Sequence, residues 1–480
     1  MRGRVAALLC TTALITGCSI GPRYLRPSLT TPDGYRGQLG GPEATSLADL
    51  PWWEVFRDQT LTELMQEALQ NNYDLRTAAA RVEEARALAG VTRGQFLPQV
   101  EYQGGAGQAH SASQLFGQIP RGETRDAFLG AFHLAWELDM WGRIRHSYEA
   151  SVAELFGSEE FRRGVVLTLV SEVAQAYFEL RELDLELEIA QRTVASFQRT
   201  LDLFTRRLQL GVASKLEVAR AEAALAATAA TIPNLERFIV AKENQLSVLL
   251  GRAPGPIPRG VSLVEELPPP EIPVGLPSQL LERRPDIREA EQALRAANAQ
   301  VGVAQASFFP SLGLTGLRGG ASDELKNIVE GGASIWSIAG SLAGPLFRGG
   351  QILETYRATK AQWEQTKLQY EQTVLKALQE VSNAITDRQK LAEAQQEQAR
   401  TVTALQESVR LSTLRYTGGF ANYFEVIEAQ QQLFPAENIL AQTRRDQLIA
   451  IVRLYKALGG GWALYTEPPA LPPPWYQTIP

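Results

Sequence analysis

Three histidines, two cysteines and three methionines are the whole stock of soft or readily titrating ligands in this 480-residue chain. His110, His133 and His146 lie far apart. None sits in an H-E-x-x-H or similar spacing that could hold a metal and activate water. Gly459-Gly460-Gly461 follows no strand and leads into no Lys-Ser/Thr, so it reads as a helix stop rather than a phosphate cradle. The one G-x-S-x-G match, Gly17-Cys18-Ser19-Ile20-Gly21, closes the N-terminal apolar run rather than linking a strand to a helix, so it reads as no nucleophile elbow. The chemistry-bearing residues therefore predict no enzyme, no metal and no non-covalent cofactor, and any transport must draw its energy from a partner. The formal charge is −6, from 47 basic and 53 acidic residues. That balance lacks the basic footprint of a nucleic-acid binder.

One cysteine does suggest chemistry. Met1-Arg2-Gly3-Arg4 opens an apolar run from Val5 to Ile15, too short for a permanent membrane helix, and Leu14-Ile15-Thr16-Gly17-Cys18 follows. The pattern resembles the bacterial lipoprotein box. It implies a signal peptide over 1–17 and a covalent lipid on Cys18 as the mature N-terminus. Ser19, where an Asp would favour retention at the inner membrane, fits sorting to the outer membrane. Cys10 would leave with the signal, so the mature chain could form no internal disulfide.

The elements that must position everything else come in two copies. Leu64 to Val100 matches Leu276 to Leu312 at an offset of 212, through Asp74-Leu75-Arg76 against Asp286-Ile287-Arg288 and Leu97-Pro98 against Phe309-Pro310. Arg207, Gly211, Glu217 and Val218 match Arg415, Gly419, Glu425 and Val426 at 208. The chain is thus organised as a lipidated segment 18–60, repeat 1 over 61–251, a Pro-rich connector 252–275, repeat 2 over 276–462 and a Pro-rich tail 463–480. Each repeat reads as helix, strand pair, very long helix and second long helix.

Proline is missing from 121–232 and from 346–434. Leu180, Leu183, Leu187, Ala190, Val194, Phe197, Leu201, Phe204 and Leu208 follow a 3-4 seam, and a helix from near Arg145 to Leu210 would be about 100 Å long. Either a coiled-coil rod or a wall of packed helices satisfies that pattern. The Ala-rich run through Ala219, Ala221, Ala223, Ala224 and Ala226 favours the wall. Four stretches alternate with a period of two, over 98–110, 125–139, 310–320 and 333–346. They place Phe128, Phe132, Leu134 and Trp136, and later Trp336 and Ile338, on one apolar face. A soluble sandwich could show this alternation, but an outer-membrane signal makes the face lipid-facing. Four strands cannot close a barrel, and open edges in lipid leave unpaired backbone groups. Two, three or four protomers would each supply enough strands.

Several motifs carry a family resemblance. They are Cys18-Ser19-Ile20-Gly21-Pro22-Arg23-Tyr24, Pro51-Trp52-Trp53, Arg415-Tyr416-Thr417-Gly418-Gly419, Glu428-Ala429-Gln430, and Leu454-Tyr455-Lys456-Ala457-Leu458 running into Gly459-Gly460-Gly461-Trp462. Together they resemble the outer membrane factor family of the TolC superfamily, in its lipoprotein OprM/NodT branch, from Cys18 to about Trp462. The resemblance implies a mainly α protein with a membrane β-barrel. Three copies would form a 12-stranded barrel continued by an α-helical periplasmic tunnel. The implied function is the outer-membrane exit duct of a tripartite efflux system for drugs or other small molecules. A periplasmic adaptor and an inner-membrane RND pump are the implied partners. A periplasmic coiled-coil scaffold lipoprotein and an outer-membrane enzyme are the competing classes.

The resemblance also implies a periplasmic gate, carried over to Phe424, Glu428 and Gln431. Their spacing puts all three on one helical face. Relatives place Arg where Gln431 stands. The expected closed state therefore leans on Phe424 and hydrogen bonds rather than on an ion pair.

Overall fold

The computed structural model describes residues 20–29, 31–38, 46, 58–110, 124–260, 262–264, 274–275 and 277–460. Cys18, Pro51-Trp52-Trp53, Gly461-Trp462 and the tail lie outside the described residues. In chain order the elements are α1 (Gln59–Asn71), α2 (Tyr73–Gly94), β1 (Gln99–His110), β2 (Thr124–Leu138), α3 (Arg143–Gln209), α4 (Lys215–Ala229) and α5 (Thr231–Leu249). Then follow α6 (Leu280–Arg283), α7 (Pro285–Ala306), β3 (Ser311–Ser322), β4 (Ser334–Ala343), α8 (Gln351–Thr417) and α9 (Phe424–Ala457). Two compact units divide them. One holds 1–28, 81–159 and 289–371; the other holds 29–80, 160–288 and 372–480.

The duplication is visible in the elements. α3 and α8 are each 67 residues long and start 208 positions apart. Each repeat's first helix breaks at a matching residue, Asn72 and Arg284, 212 apart. Asn72 donates from Nδ2 to the Leu249 carbonyl at 2.9 Å, and Arg284 donates from Nη1 to the Ala457 carbonyl at 2.9 Å. Leu249 and Ala457 are themselves 208 apart, so each break is tied to the end of its own repeat's last helix.

Repeat 1 departs from the expected second long helix. The chain stops at Ala229 and restarts at Thr231. Pro233 lies in the first turn of α5, where its missing N–H has no intrahelical partner to lose. Pro435, by contrast, lies inside α9, which continues through it without that donor.

In the first unit the four strands form one antiparallel sheet in the order β1-β2-β3-β4. The strands start and stop within a few residues of the sequence expectation; the largest change is β4, which ends at Ala343 rather than 346. Cross-strand register sorts the faces. Val100, Leu134, Gly316 and Ile338 form one row, and Tyr102, Phe132, Arg318 and Trp336 form the next. Phe128 and Trp136 share that face. The opposite face carries Glu101, Gln103, His133, Glu137, Thr315 and Ser337. Among the described residues β1 and β4 each leave one edge unpaired.

Beneath the sheet, Ala150 and Ala153 of α3 pack on Ala296 and Ala299 of α7, small residues that let two backbones approach. The N-terminal segment runs along this unit. Ile20 donates its N–H to the Trp141 carbonyl at 3.0 Å, Asn298 donates to the Pro22 carbonyl at 3.0 Å, and Arg26 pairs with Glu291 at 2.9 Å.

In the second unit, the seam of α3 faces inward at Leu180, Ala190, Phe197 and Phe204, all buried. Tyr177, fully buried, donates its hydroxyl to Asp58 at 2.7 Å. The same Asp58 caps α1 by accepting from Thr60 and Leu61. Among the described residues no helix is long and apolar enough to cross a membrane.

Candidate functional site

The residues expected to form a gate, Phe424, Glu428 and Gln431, lie in the second unit, where α8 turns into α9 beside the turn from α3 into α4. Both turns end a 67-residue helix with the same device. After α3, Val212 N–H bonds back to the Arg207 carbonyl at 2.9 Å; after α8, Phe420 N–H bonds back to Arg415 at 2.9 Å. The residue between adopts a left-handed conformation, φ +73° at Gly211 and +78° at Gly419, which a Cβ would disfavour. α4 then starts under a capping box. Glu217 N–H bonds to Ser214 Oγ at 3.3 Å, and Ser214 N–H bonds to Glu217 Oε2 at 2.7 Å. The start of α9 is held differently. Tyr423 is buried and donates its hydroxyl to Thr200 Oγ1 at 2.7 Å. Its ring meets Phe204 at 4.3 Å and Tyr416 at 5.1 Å between centroids, both near-perpendicular. Arg207 hydrogen-bonds the Tyr416 hydroxyl and lies 5.2 Å from its ring centroid.

That aromatic cluster, extended by Ala221, Val426 and Ile427, fixes which side of α9 is buried. The other side carries Phe424, Glu428 and Gln431, all exposed on this single chain, so the expected common face is present. Phe424 is 53% exposed despite its apolar ring. The Phe424 N–H is taken by Asn422 Oδ1 at 3.0 Å, which sets the first turn of α9. Arg220 of α4 stands 5.5 Å from the Phe424 ring centroid, a cation–π contact. Among the described residues no cation pairs with Glu428. Arg415 instead reaches Glu425 at 3.5 Å.

Sequence reasoning missed Arg220, and it missed a second buried group on α3. Glu182 and Glu186 are buried, 4% and 8% exposed, one turn apart. Gln442 donates to Glu186 at 2.8 Å and Arg445 to Glu182 at 3.2 Å, both from α9. Burial first, then the hydrogen bond and charge of Glu186, push the Glu182 carboxyl up to about 8 against the opposing pull of Arg445. No spacing rule flags such a pair, because Glu at i and i+4 is ordinary on a solvated helix.

The remaining predicted residues fall in the first unit. Phe128, Phe132, Leu134, Trp136, Trp336 and Ile338 share one sheet face, as the alternation required. Trp336 and Ile338 are 73% and 81% exposed, and Trp136 is tied by its indole N–H to the Phe96 carbonyl at 2.9 Å. His110 bonds Thr124 across the strands at 2.9 Å, and His146 is buried beside Glu149 at 2.9 Å. Among the described residues no three metal-ligating side chains come together.

A paired-repeat chain with an open, one-side-apolar sheet and two 67-residue helices is a narrow description. The family model described as "Outer membrane efflux protein" matches residues 64–252 and 276–460, one match on each repeat. The chain belongs to the outer membrane efflux protein family. This efflux protein is 34% identical over 461 residues to the toluene efflux pump outer membrane protein TtgF of Pseudomonas putida, covering 93% of this chain and 95% of that one. It is 32% identical over 456 residues to the cation efflux system protein CusC of Escherichia coli O6:H1, covering 94% and 98%. Among solved structures, the outer-membrane channel OprN superposes with a TM-score of 0.84 at 31% identity, over 93% of this chain and all of that one. The efflux protein is thus an outer-membrane channel, mainly helical with a membrane sheet, as the motifs implied.

Proposed function

We propose that three copies of this chain form the exit duct of a tripartite efflux system. In this assembly each β1 edge pairs with the β4 edge of a neighbour to close 12 strands, and the long helices line a periplasmic passage. The observation that carries the reading is the four-stranded sheet with one apolar exposed face and two unpaired edges. In lipid each unpaired backbone group costs several kcal/mol, so the sheet needs a partner strand on both sides. The family resemblance sets the number at three. An inner-membrane RND pump supplies the energy, and a periplasmic adaptor joins it to the duct. Relatives named for toluene and for cation efflux both match nearly the whole chain, so cargo selection is assigned to the pump in this reading.

Cys18 carries the lipid in this reading. Its support is the Ile20 N–H bonded to Trp141, which holds the chain two residues after Cys18 at the helix end of the sheet. There an acyl chain would enter the periplasmic leaflet while the barrel anchors the rest. Phe424 forms the gate. Three copies around the axis would make a dry constriction, with Glu428 one turn along as an acidic ring and Gln431 next to it. Purified protein in a planar bilayer tests the duct: stepwise cation-favouring conductance is expected, and a silent bilayer with correctly assembled protein would overturn it.

A further inference from the structure

On the apolar face of the sheet one charge stands out. Arg318 occupies a register row between Phe132 on β2 and Trp336 on β4, with Tyr102 on β1 completing it. Along β3 its same-face neighbours are Gly316 and Gly320. None of these residues is acidic, and among the described residues Arg318 makes no ion pair. The acids of the following loop, Asp323, Glu324 and Glu330, begin beyond Ser322, and Glu324 is occupied by Lys326 at 2.8 Å.

The loop between β3 and β4 folds back over this face. Ile328 lies against Gly130 and Gly320 in the row above Arg318. A Cβ on Gly320 would collide with the Ile328 carbonyl, and one on Gly130 would meet the Ile328 Cδ1 at 3.4 Å. Glycine in that row is what lets the loop sit as a ledge. Val329 beside it is 89% exposed. The result is a step: leucines below, a cation flanked by aromatics, and an apolar ledge above.

Position along the strand gives the step a place in the membrane. Trp141 and Phe309 stack at 4.9 Å at the helix end of the sheet. From Ser311, where β3 begins, to Arg318, at ~3.3 Å per residue and a tilt of ~40°, the rise is roughly 18 Å, and the two residues from Phe309 add to it, toward the ~25 Å apolar band of such barrels. Arg318 therefore falls at the far boundary, the headgroup level of the outer leaflet. Trp336 beside it has the amphipathic ring favoured there.

We propose that Arg318, with Phe132 and Trp336 at its sides and the Ile328 ledge above, binds a phosphate group of the phosphorylated glycolipid of the outer leaflet. A guanidinium presents two parallel N–H donors to a phosphate, and the apolar surroundings hold the acyl chains beneath it. The proposal rests on the reading that the apolar face meets lipid, and the test separates the two.

The experiment is native mass spectrometry of the full-length assembly titrated with diphosphoryl lipid A or with lipid A stripped of both phosphates. The wild type is expected to bind the diphosphoryl form about tenfold more tightly, the scale of one charge-assisted hydrogen-bonded contact. Arg318→Gln is expected to bring that ratio near one, Arg318→Lys to keep part of it, and Lys326→Gln to leave it unchanged. Assembly of each variant is read in the same spectra. Equal wild-type binding of the two lipids overturns the phosphate site while sparing the lipid-facing reading. Binding of neither lipid overturns both. If Arg318→Gln retains the preference, or Lys326→Gln alone removes it, the phosphate is held elsewhere and the assignment to Arg318 is wrong.

Discussion

Phe424 is an apolar ring left half in solvent by the chain that carries it, at the start of a helix whose opposite side is firmly packed. In the proposed trimer a threefold axis would give that ring a partner surface from its own copies. Among the described residues no cation pairs with its neighbour Glu428, and Gln431 cannot provide one. Arg220 meets the Phe424 ring face rather than a carboxylate, at 5.5 Å from the centroid. Phe424→Ala is expected to raise resting conductance and large-antibiotic uptake by about twofold or more, since a dewetted constriction depends on ring size. Glu428→Ala should change ion preference more than opening. Unchanged conductance and uptake in Phe424→Ala would move the gate elsewhere, and opening by Glu428→Ala alone would restore an electrostatic lock. The shared face of these three residues was legible from spacing alone. Arg220 was not, because the contact joins α4 to α9 and no local pattern encodes it.

Elements were the easiest scale to read. Two 67-residue helices follow from long proline-free stretches, and the sheet faces follow from a period of two. What stayed hidden were features set by tertiary partners. The ties of Asn72 and Arg284 to carbonyls at the end of each repeat's last helix are two of them, whereas the break at Arg284 itself comes before Pro285, which disfavours the helical conformation there. The Ile328 ledge depends on two glycines from different strands. Glu182 is the clearest case, an acid on a charged helix that only packing makes unusual. Its carboxyl lies at about 8 in the folded protein, so it takes up a proton on folding. Below the ordinary carboxylate value it makes no difference to stability. Its destabilising effect builds as pH rises from there toward 8, then levels off. Glu182→Gln copies the protonated form. Its melting temperature should match wild type near pH 4.5 and exceed it by on the order of 2 °C at pH 8.5. A gap that is constant with pH, or that shrinks as pH rises, would contradict the assignment.

The whole molecule follows from edges that one chain cannot satisfy. Among the described residues β1, 12 residues long, and β4, 10 residues long, each leave one side of the strand unpaired. The sheet face beside them carries Phe128, Phe132, Leu134, Trp136, Trp336 and Ile338. The repeat, the strands and the lipoprotein box together made an outer-membrane assembly legible from sequence. The copy number was not legible, because two, three and four protomers all supply enough strands. Native mass spectrometry of the protein extracted in mild detergent bears most directly on this assembly. The predicted species is a trimer of chains that each begin at an acylated Cys18. A stable monomer under those conditions would contradict the closed barrel and the duct built on it.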